Sequence, residues 1–215
     1  MITKYGYNTV GIISVIVFII FTAAILIDNN SVKYTLFAFG TLLIIFTLNF
    51  FRDPERITPA DKNVLISPAD GKVLLIKKVE PNRYLEGTCS QVSIFMSPLN
   101  VHVNRIPIDG KVEYFKYVEG EFLTAFNDKA DEKNERTEIG ILSKHGKVLF
   151  TQVAGFVARR IICDLKVGDT VKAGERFGMI KFGSRVDIII PENHEILVKE
   201  GQNVSAGETI ISRIN

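Results

Sequence analysis

The sequence predicts a mainly β domain held behind an N-terminal transmembrane helical hairpin. Three observations predict it: two long uncharged apolar runs at the front, a series of short β-type segments broken by turn residues, and a glycine-bearing repeat at the tail. The chain has 215 residues, 47% of them hydrophobic, and a net charge of +2. That is enough for one soluble domain with the front runs left over.

The first run, residues 9–27 ("TVGIISVIVFIIFTAAILI"), carries no charge. At about 1.5 Å per helical residue it approaches the ~30 Å of a bilayer core. The second, residues 34–51 ("YTLFAFGTLLIIFTLNFF"), is equally uncharged and nearly as long, and only "DNNSVK" separates the two. Neither run has the polar face that a helix packed on a soluble core would need. A cleavable signal peptide followed by a buried helix is the competing reading. The apolar length of the first run, its single nearby Lys4 and the second run behind it all count against that. Lys4, Arg52 and Arg56 flank the outer ends, whereas the connecting loop carries Lys33 balanced by Asp28. By the positive-inside rule both termini and the remaining chain are expected on the cytoplasmic face of the cell membrane. Cys89 and Cys163 are far apart in sequence and form no Cys-x-x-Cys, so reduced thiols are expected. The balanced charge and the lack of an aromatic-basic stripe argue against a nucleic-acid partner.

Residues 1–51 are thus read as the anchor, 52–66 as a juxtamembrane linker and 67–215 as the β domain. Pro54, Pro59 and Pro68 deny the stretch after the anchor a helix. Short segments such as "KVLLIKKV", "SQVSIFM", "GKVEYFKYV", "TEIGILS", "KVLFTQVAG" and "VARRIICDL" follow, each punctuated by Gly, Asn, Asp or Pro. The polar stretch "TAFNDKADEKNERTE" lacks helical periodicity and reads as a loop. In the tail, "VGDTVKAGERFGMI" from Val167 recurs from Glu200 as "EGQNVSAGETIISR", matching Gly168 with Gly201 and Gly174 with Gly207. Each copy reads as strand, glycine turn, strand, with glycines where φ must be positive. Two such units make a small β-sandwich of the barrel-sandwich type seen in lipoyl and biotinyl carrier domains, an analogy of fold alone.

The first copy runs into "KFGSRVDIIIP", where a serine opens a strand. Together with "SPADG" (67–71), "FMSPLNVHVNRIPIDG" (95–110), "NER" (134–136) and the paired apolar runs, this tail segment resembles the phosphatidylserine decarboxylase family, in its short membrane-anchored form. The resemblance implies a proenzyme that cuts itself between Gly183 and Ser184 into a β chain (1–183) and an α chain (184–215) that stay associated. It further implies that Ser184 becomes an N-terminal pyruvoyl group, which takes the substrate amine as a Schiff base. That carbonyl would replace pyridoxal phosphate as the electron sink, with no metal. By the same resemblance His102 carries protons and Asp70 orients or polarises. The alternatives are a hairpin-turn aspartate and a strand histidine satisfied by a main-chain carbonyl. Longer members carry a second histidine three residues after the first. Arg105 occupies that position here, so either His102 serves both steps or the relay is absent. Arg185, Arg105, Asn134 and Arg136 are candidates for the substrate headgroup, with solvated charges as the alternative, and Arg159 and Arg160 for lipid phosphate or the membrane surface. His145 is expected in a hairpin turn and His194 is expected to be exposed. The dispersed histidines and isolated cysteines give no metal motif.

The implied activity is conversion of phosphatidylserine to phosphatidylethanolamine and CO₂. The same enzyme acting on an ether-linked phosphatidylserine analogue is one alternative. A membrane-tethered, non-catalytic adaptor is another, and it leaves the Gly-Ser step unexplained. The sequence leaves a homo-oligomer open.

Overall fold

In the computed structural model, residues 1–80, 84–120, 134–155, 160–181 and 184–214 are described. By internal contacts the chain divides into two units, residues 1–54 and 55–215.

The first unit holds helices α1 (Tyr7–Ile25) and α2 (Asn30–Phe50), both long and apolar enough to cross a membrane. Asn29 starts α2 by accepting hydrogen bonds from the Ser31 and Val32 N–H groups, the usual N-cap arrangement. The helices pack through Phe21 and Phe37, whose ring centroids lie 5.2 Å apart. Gly40 makes room for this packing, since a Cβ there would run into the Phe21 ring.

The second unit is all β. Its strands are β1 (Val64–Ile66), β2 (Gly71–Val79), β3 (Cys89–Met96), β4 (Val103–Arg105), β5 (Gly110–Val118), β6 (Arg136–Ser143) and β7 (Gly146–Ala154). They continue as β8 (Arg160–Cys163), β9 (Thr170–Val171), β10 (Arg176–Lys181), β11 (Ser184–Pro191), β12 (His194–Ile196), β13 (Asn203–Val204) and β14 (Ile210–Ile214). Eight of them form one curled antiparallel sheet in the order β13-β2-β3-β11-β7-β6-β5-β9. Two three-stranded sheets, β4-β10-β8 and β1-β14-β12, complete the unit. Alternation along β11 sends Val186, Ile188 and Ile190 into the main core with Ile94, Phe150, Ile139 and Phe177. The opposite face carries Arg185 and Asp187, and further along a smaller apolar cluster around Leu85, Cys89 and Leu149. The stretch 52–66, read above as a linker, ends in β1, which pairs with β14.

The tail repeat behaves as its glycines predict. Gly168, Gly201, Gly174 and Gly207 all have φ between 78° and 102°. A second repeat, not recognised in the sequence, completes the first. "PADGKV" (68–73) recurs as "PIDGKV" (107–112). Gly201 N–H donates to the Val73 carbonyl as Gly168 N–H donates to that of Val112, both at 2.8 Å. The halves also interlock: Arg105 N–H meets the Pro68 carbonyl, and Ile66 N–H meets that of Pro107.

His194 corrects an expectation. It is buried, not exposed, because the pairing of β12 with β14 brings its Nδ1 to 3.1 Å from Ser212 Oγ. Burial, with His145 nearby, lowers its pKa below the ordinary histidine value. His145 lies in the β6–β7 hairpin turn as expected. Both cysteines are free thiols, and burial pushes Cys163 up to about 11.

Candidate active site

Ser184 is fully buried and opens β11. The preceding strand, β10, belongs to a different sheet, so the chain passes from one sheet to the other between Lys181 and Ser184. The two connecting residues include Gly183, which lies outside the described residues, as does Arg159. Ser184 is paired directly with Met96 on one side and Ala154 on the other. On the other side of the crossing, Ile180 N–H reaches the His102 carbonyl at 3.4 Å. The segment 96–103 thus brackets the crossing, with Met96 beside the residue after it and His102 beside the strand before it.

His102 is fully buried, and its Nδ1 lies 2.9 Å from the Asn100 carbonyl. A carbonyl only accepts, so Nδ1 carries the proton and Nε2 is the basic nitrogen of the neutral ring. Asn100 is itself fixed by the Ser97 N–H and hydroxyl, both donating to its side-chain oxygen. The main-chain carbonyl partner named as the alternative for His102 is present, and it fixes the orientation of the ring.

Asp70 lies elsewhere. One carboxylate oxygen accepts from Ala206 N–H at 2.8 Å, and the other pairs with Arg56 at 2.7 Å. Asp109, its counterpart in the repeat, accepts from Ala173 N–H at 2.8 Å and pairs with Lys62. Each aspartate therefore clamps the glycine turn of its own half. For Asp109 burial raises the pKa, but Ala173 N–H and Lys62 outweigh it and the net shift is downward. β3 separates β2 from β11, so the backbones near Asp70 and Ser184 are about 10 Å apart.

Adjacent strand residues face opposite ways, and this divides the arginines from the serine. Arg185, 1% exposed, turns away from the Ser184 face and donates to Asp187 at 2.8 Å. Arg136 donates to Glu138 at 2.8 Å, and Tyr114 donates to the other oxygen of Glu138. Arg105 donates to the Gly174 carbonyl at 2.9 Å and packs against Gly207. Asn134 comes closer, since its amide donates to the carbonyl of Ala154, the residue paired with Ser184, at 2.7 Å. Asn134, Glu135 and Arg136 are all buried where β6 begins, and are not a charged loop tip. At the crossing, Lys181 faces Arg160 across the β10–β8 pair, and burial, with that cation, lowers its pKa.

Sequence reasoning missed Asn104 and Gln152, both fully buried on the Ser184 face and joined by a 2.8 Å hydrogen bond. Asn104 lies inside the segment that carries His102, and Gln152 is an amide on a strand face otherwise filled by Val148, Phe150 and Ala154. Those are the signals that point to them. Among the described residues no cluster of three or more His, Cys, Asp or Glu is placed to hold a metal ion.

Comparison with known proteins gives a consistent result. The model of the phosphatidylserine decarboxylase family matches residues 43–212. The chain is 50% identical over 213 residues to the phosphatidylserine decarboxylase proenzyme of Chlorobium limicola, covering 99% of this chain and 100% of that one. It is 49% identical to the proenzyme of Chlorobaculum tepidum, with 99% and 97% covered. With that of Salinibacter ruber the identity is 51% over 174 residues, with 80% and 77% covered. The matched region spans both sheets that meet at Ser184, and the chain belongs to the phosphatidylserine decarboxylase family.

Proposed function

We propose that the protein is a self-processing, pyruvoyl-dependent enzyme that decarboxylates phosphatidylserine to phosphatidylethanolamine on the cytoplasmic face of the membrane. The observation that carries this reading is the buried Ser184 at the sheet crossing, bracketed by Met96 and the oriented His102, in a chain of this family.

The Ser184 hydroxyl attacks the carbonyl carbon of Gly183. An Oγ–C bond forms, the peptide C–N bond breaks, and the hydroxyl proton passes to the freed amine. His102 Nε2 is the group we assign to carry that proton. Removal of the Ser184 Cα proton then breaks the Cβ–Oγ bond and leaves a carboxylate on Gly183. Water enters and ammonia leaves, which makes residue 184 a pyruvoyl group. The site suits that group, because it is made from a residue already packed between Met96 and Ala154. Once formed, it supplies a carbonyl that condenses with the substrate amine and accepts the electrons released with CO₂. This reading calls for neither pyridoxal phosphate nor a metal.

Asp70 enters as a positioning residue. Its clamp on Ala206 fixes the turn that carries Pro68, whose carbonyl receives Arg105 N–H. The duplicated fold supplies a matched control. Alanine at Asp70 or Asp109 strips one turn N–H of its acceptor, at an expected cost of about 1–3 kcal/mol in each case. Asp70→Ala, which also breaks the shielded pair with Arg56, is expected to slow self-cleavage by more than its loss of stability explains, while Asp109→Ala, at the exposed Lys62 pair, leaves it unchanged. Equal cleavage rates would reduce Asp70 to a second copy of Asp109.

The apolar helical pair supports a membrane anchor, and such an anchor keeps the site at the surface where a diacyl lipid resides. Arg56 spends its charge on Asp70 and Glu208, so the cytoplasmic orientation rests on Lys4 and Arg52.

After cleavage the fragments are expected to stay together. β11 lies between β3 and β7, and β14 pairs with β1, all strands of the larger fragment. The purified full-length protein should show two pieces on a denaturing gel, residues 1–183 and 184–215, that co-elute under native conditions. The smaller piece should be lighter by one ammonia than the same piece beginning with an unmodified serine, since the water lost in elimination is regained in hydrolysis. A single uncut chain in the active preparation would end this reading.

A further inference from the structure

A polar thread runs beneath Ser184 through a core face that is otherwise apolar. The Gln152 amide nitrogen donates to the Asn104 side-chain oxygen at 2.8 Å and approaches the Ile162 carbonyl at 3.4 Å. The Asn104 amide nitrogen lies 3.4 Å from the Pro68 carbonyl and 3.8 Å from the Met96 sulfur. The Ser184 hydroxyl lies 3.7 Å from the same sulfur. Met96, Asn104, Gln152 and Ser184 are all fully buried.

A main-chain carbonyl decides which way the two amides point. Ile162 can only accept, so Gln152 turns its NH₂ toward it. That NH₂ also faces Asn104, which must answer with its oxygen and send its own NH₂ toward Pro68 and Met96. The Gln152 oxygen is then left buried with no donor among the described residues. An unsatisfied buried acceptor is destabilising, and an apolar side chain at 152 would avoid it. A buried amide pair on an otherwise apolar core face beside Ser184 is a place to look for function.

The acceptors of the Asn104 NH₂ are poor ones. An N–O separation of 3.4 Å is long for a hydrogen bond, and a thioether accepts weakly. We infer that Asn104, oriented by Gln152, is a positioning residue for self-cleavage, holding the Met96 sulfur where it sets the Ser184 hydroxyl for attack on the preceding carbonyl. The inference rests on the self-cleaving reading and adds two residues to it.

The test uses full-length protein synthesised in the presence of lipid bilayers, with the uncut chain followed over time on denaturing gels. Hydroxylamine, which splits an ester, reports ester formation separately from elimination. The Asn104→Leu/Gln152→Leu double variant replaces both partners with apolar groups, so its thermal stability in an uncleavable Ser184→Ala background should match the parent. Its ester formation should be at least about ten-fold slower, and no slower than the worse single variant, because the two amides act as one unit. Met96→Leu conserves volume and should slow the same step several-fold. Wild-type ester formation in both the double variant and Met96→Leu overturns the inference. A wild-type chain that never cuts overturns the self-cleaving reading itself.

Discussion

Ser184→Ala is expected to leave one uncut, folded chain with decarboxylation at background. On the self-cleaving reading the substitution removes the attacking hydroxyl and the source of the pyruvoyl carbonyl, so processing and activity are expected to be lost together. It should cost little stability. The hydroxyl's contact with the Met96 sulfur at 3.7 Å is weak, and a methyl group suits a site paired with Met96 and Ala154. A thermal melt of the variant in bilayers should therefore lie within a few degrees of wild type, while the gel shows no fragment 184–215. Should the alanine variant still split at this position, some other residue is the nucleophile. Should it melt far below wild type, the loss of activity would no longer report on chemistry.

What could be read before the structure follows a physical divide between local and distant causes. The helical pair was legible because length and apolar content alone mark a membrane span. The tail glycines were legible because a positive φ demands glycine wherever the turn falls. The "PADGKV" and "PIDGKV" pair was equally local, but its copies begin at Pro68 and Pro107 while the tail copies begin at Val167 and Glu200. The two offsets differ, so no single period links the four segments. Superposing the halves through Asp70–Ala206 and Asp109–Ala173 makes the duplication plain.

The candidate site was legible in part. Ser184 and His102 stood out by motif, and strand alternation alone would have turned Arg185 away from Ser184. Burial of Asn134, Glu135 and Arg136 was not legible, because such a polar triplet reads as solvated until the Ala154 carbonyl of the neighbouring strand and the Glu138 carboxylate of its own strand close on it. The Asn104–Gln152 pair depends on β4 and β7 meeting across 48 positions of chain, and no spacing rule reports such a contact.

Arg185→Ala is expected to lower stability more than any other single change discussed, by about 3–5 kcal/mol, the range for breaking a buried ion pair. Arg185 and Asp187 have side chains 1% and 3% exposed, so neither charge can turn to water when the other is removed. The pair stands two strands from Arg136 and Glu138 on the same sheet face, with Val153 and Thr151 between. Loss of the cation leaves the Asp187 carboxylate without its charge partner in the same row. Replacing both, as Arg185→Met with Asp187→Leu, removes the charge imbalance and should recover most of the loss. The comparison is best made in the Ser184→Ala background, where cleavage cannot alter the melt. At roughly 2–4 °C per kcal/mol for a unit of this size, the single variant should melt about 6–20 °C lower. A headgroup-binding arginine behaves otherwise: its removal raises KM in the mature enzyme and leaves the melt near wild type. Those two outcomes are far enough apart that one melting curve and one substrate titration decide whether Arg185 holds the sheet or the lipid.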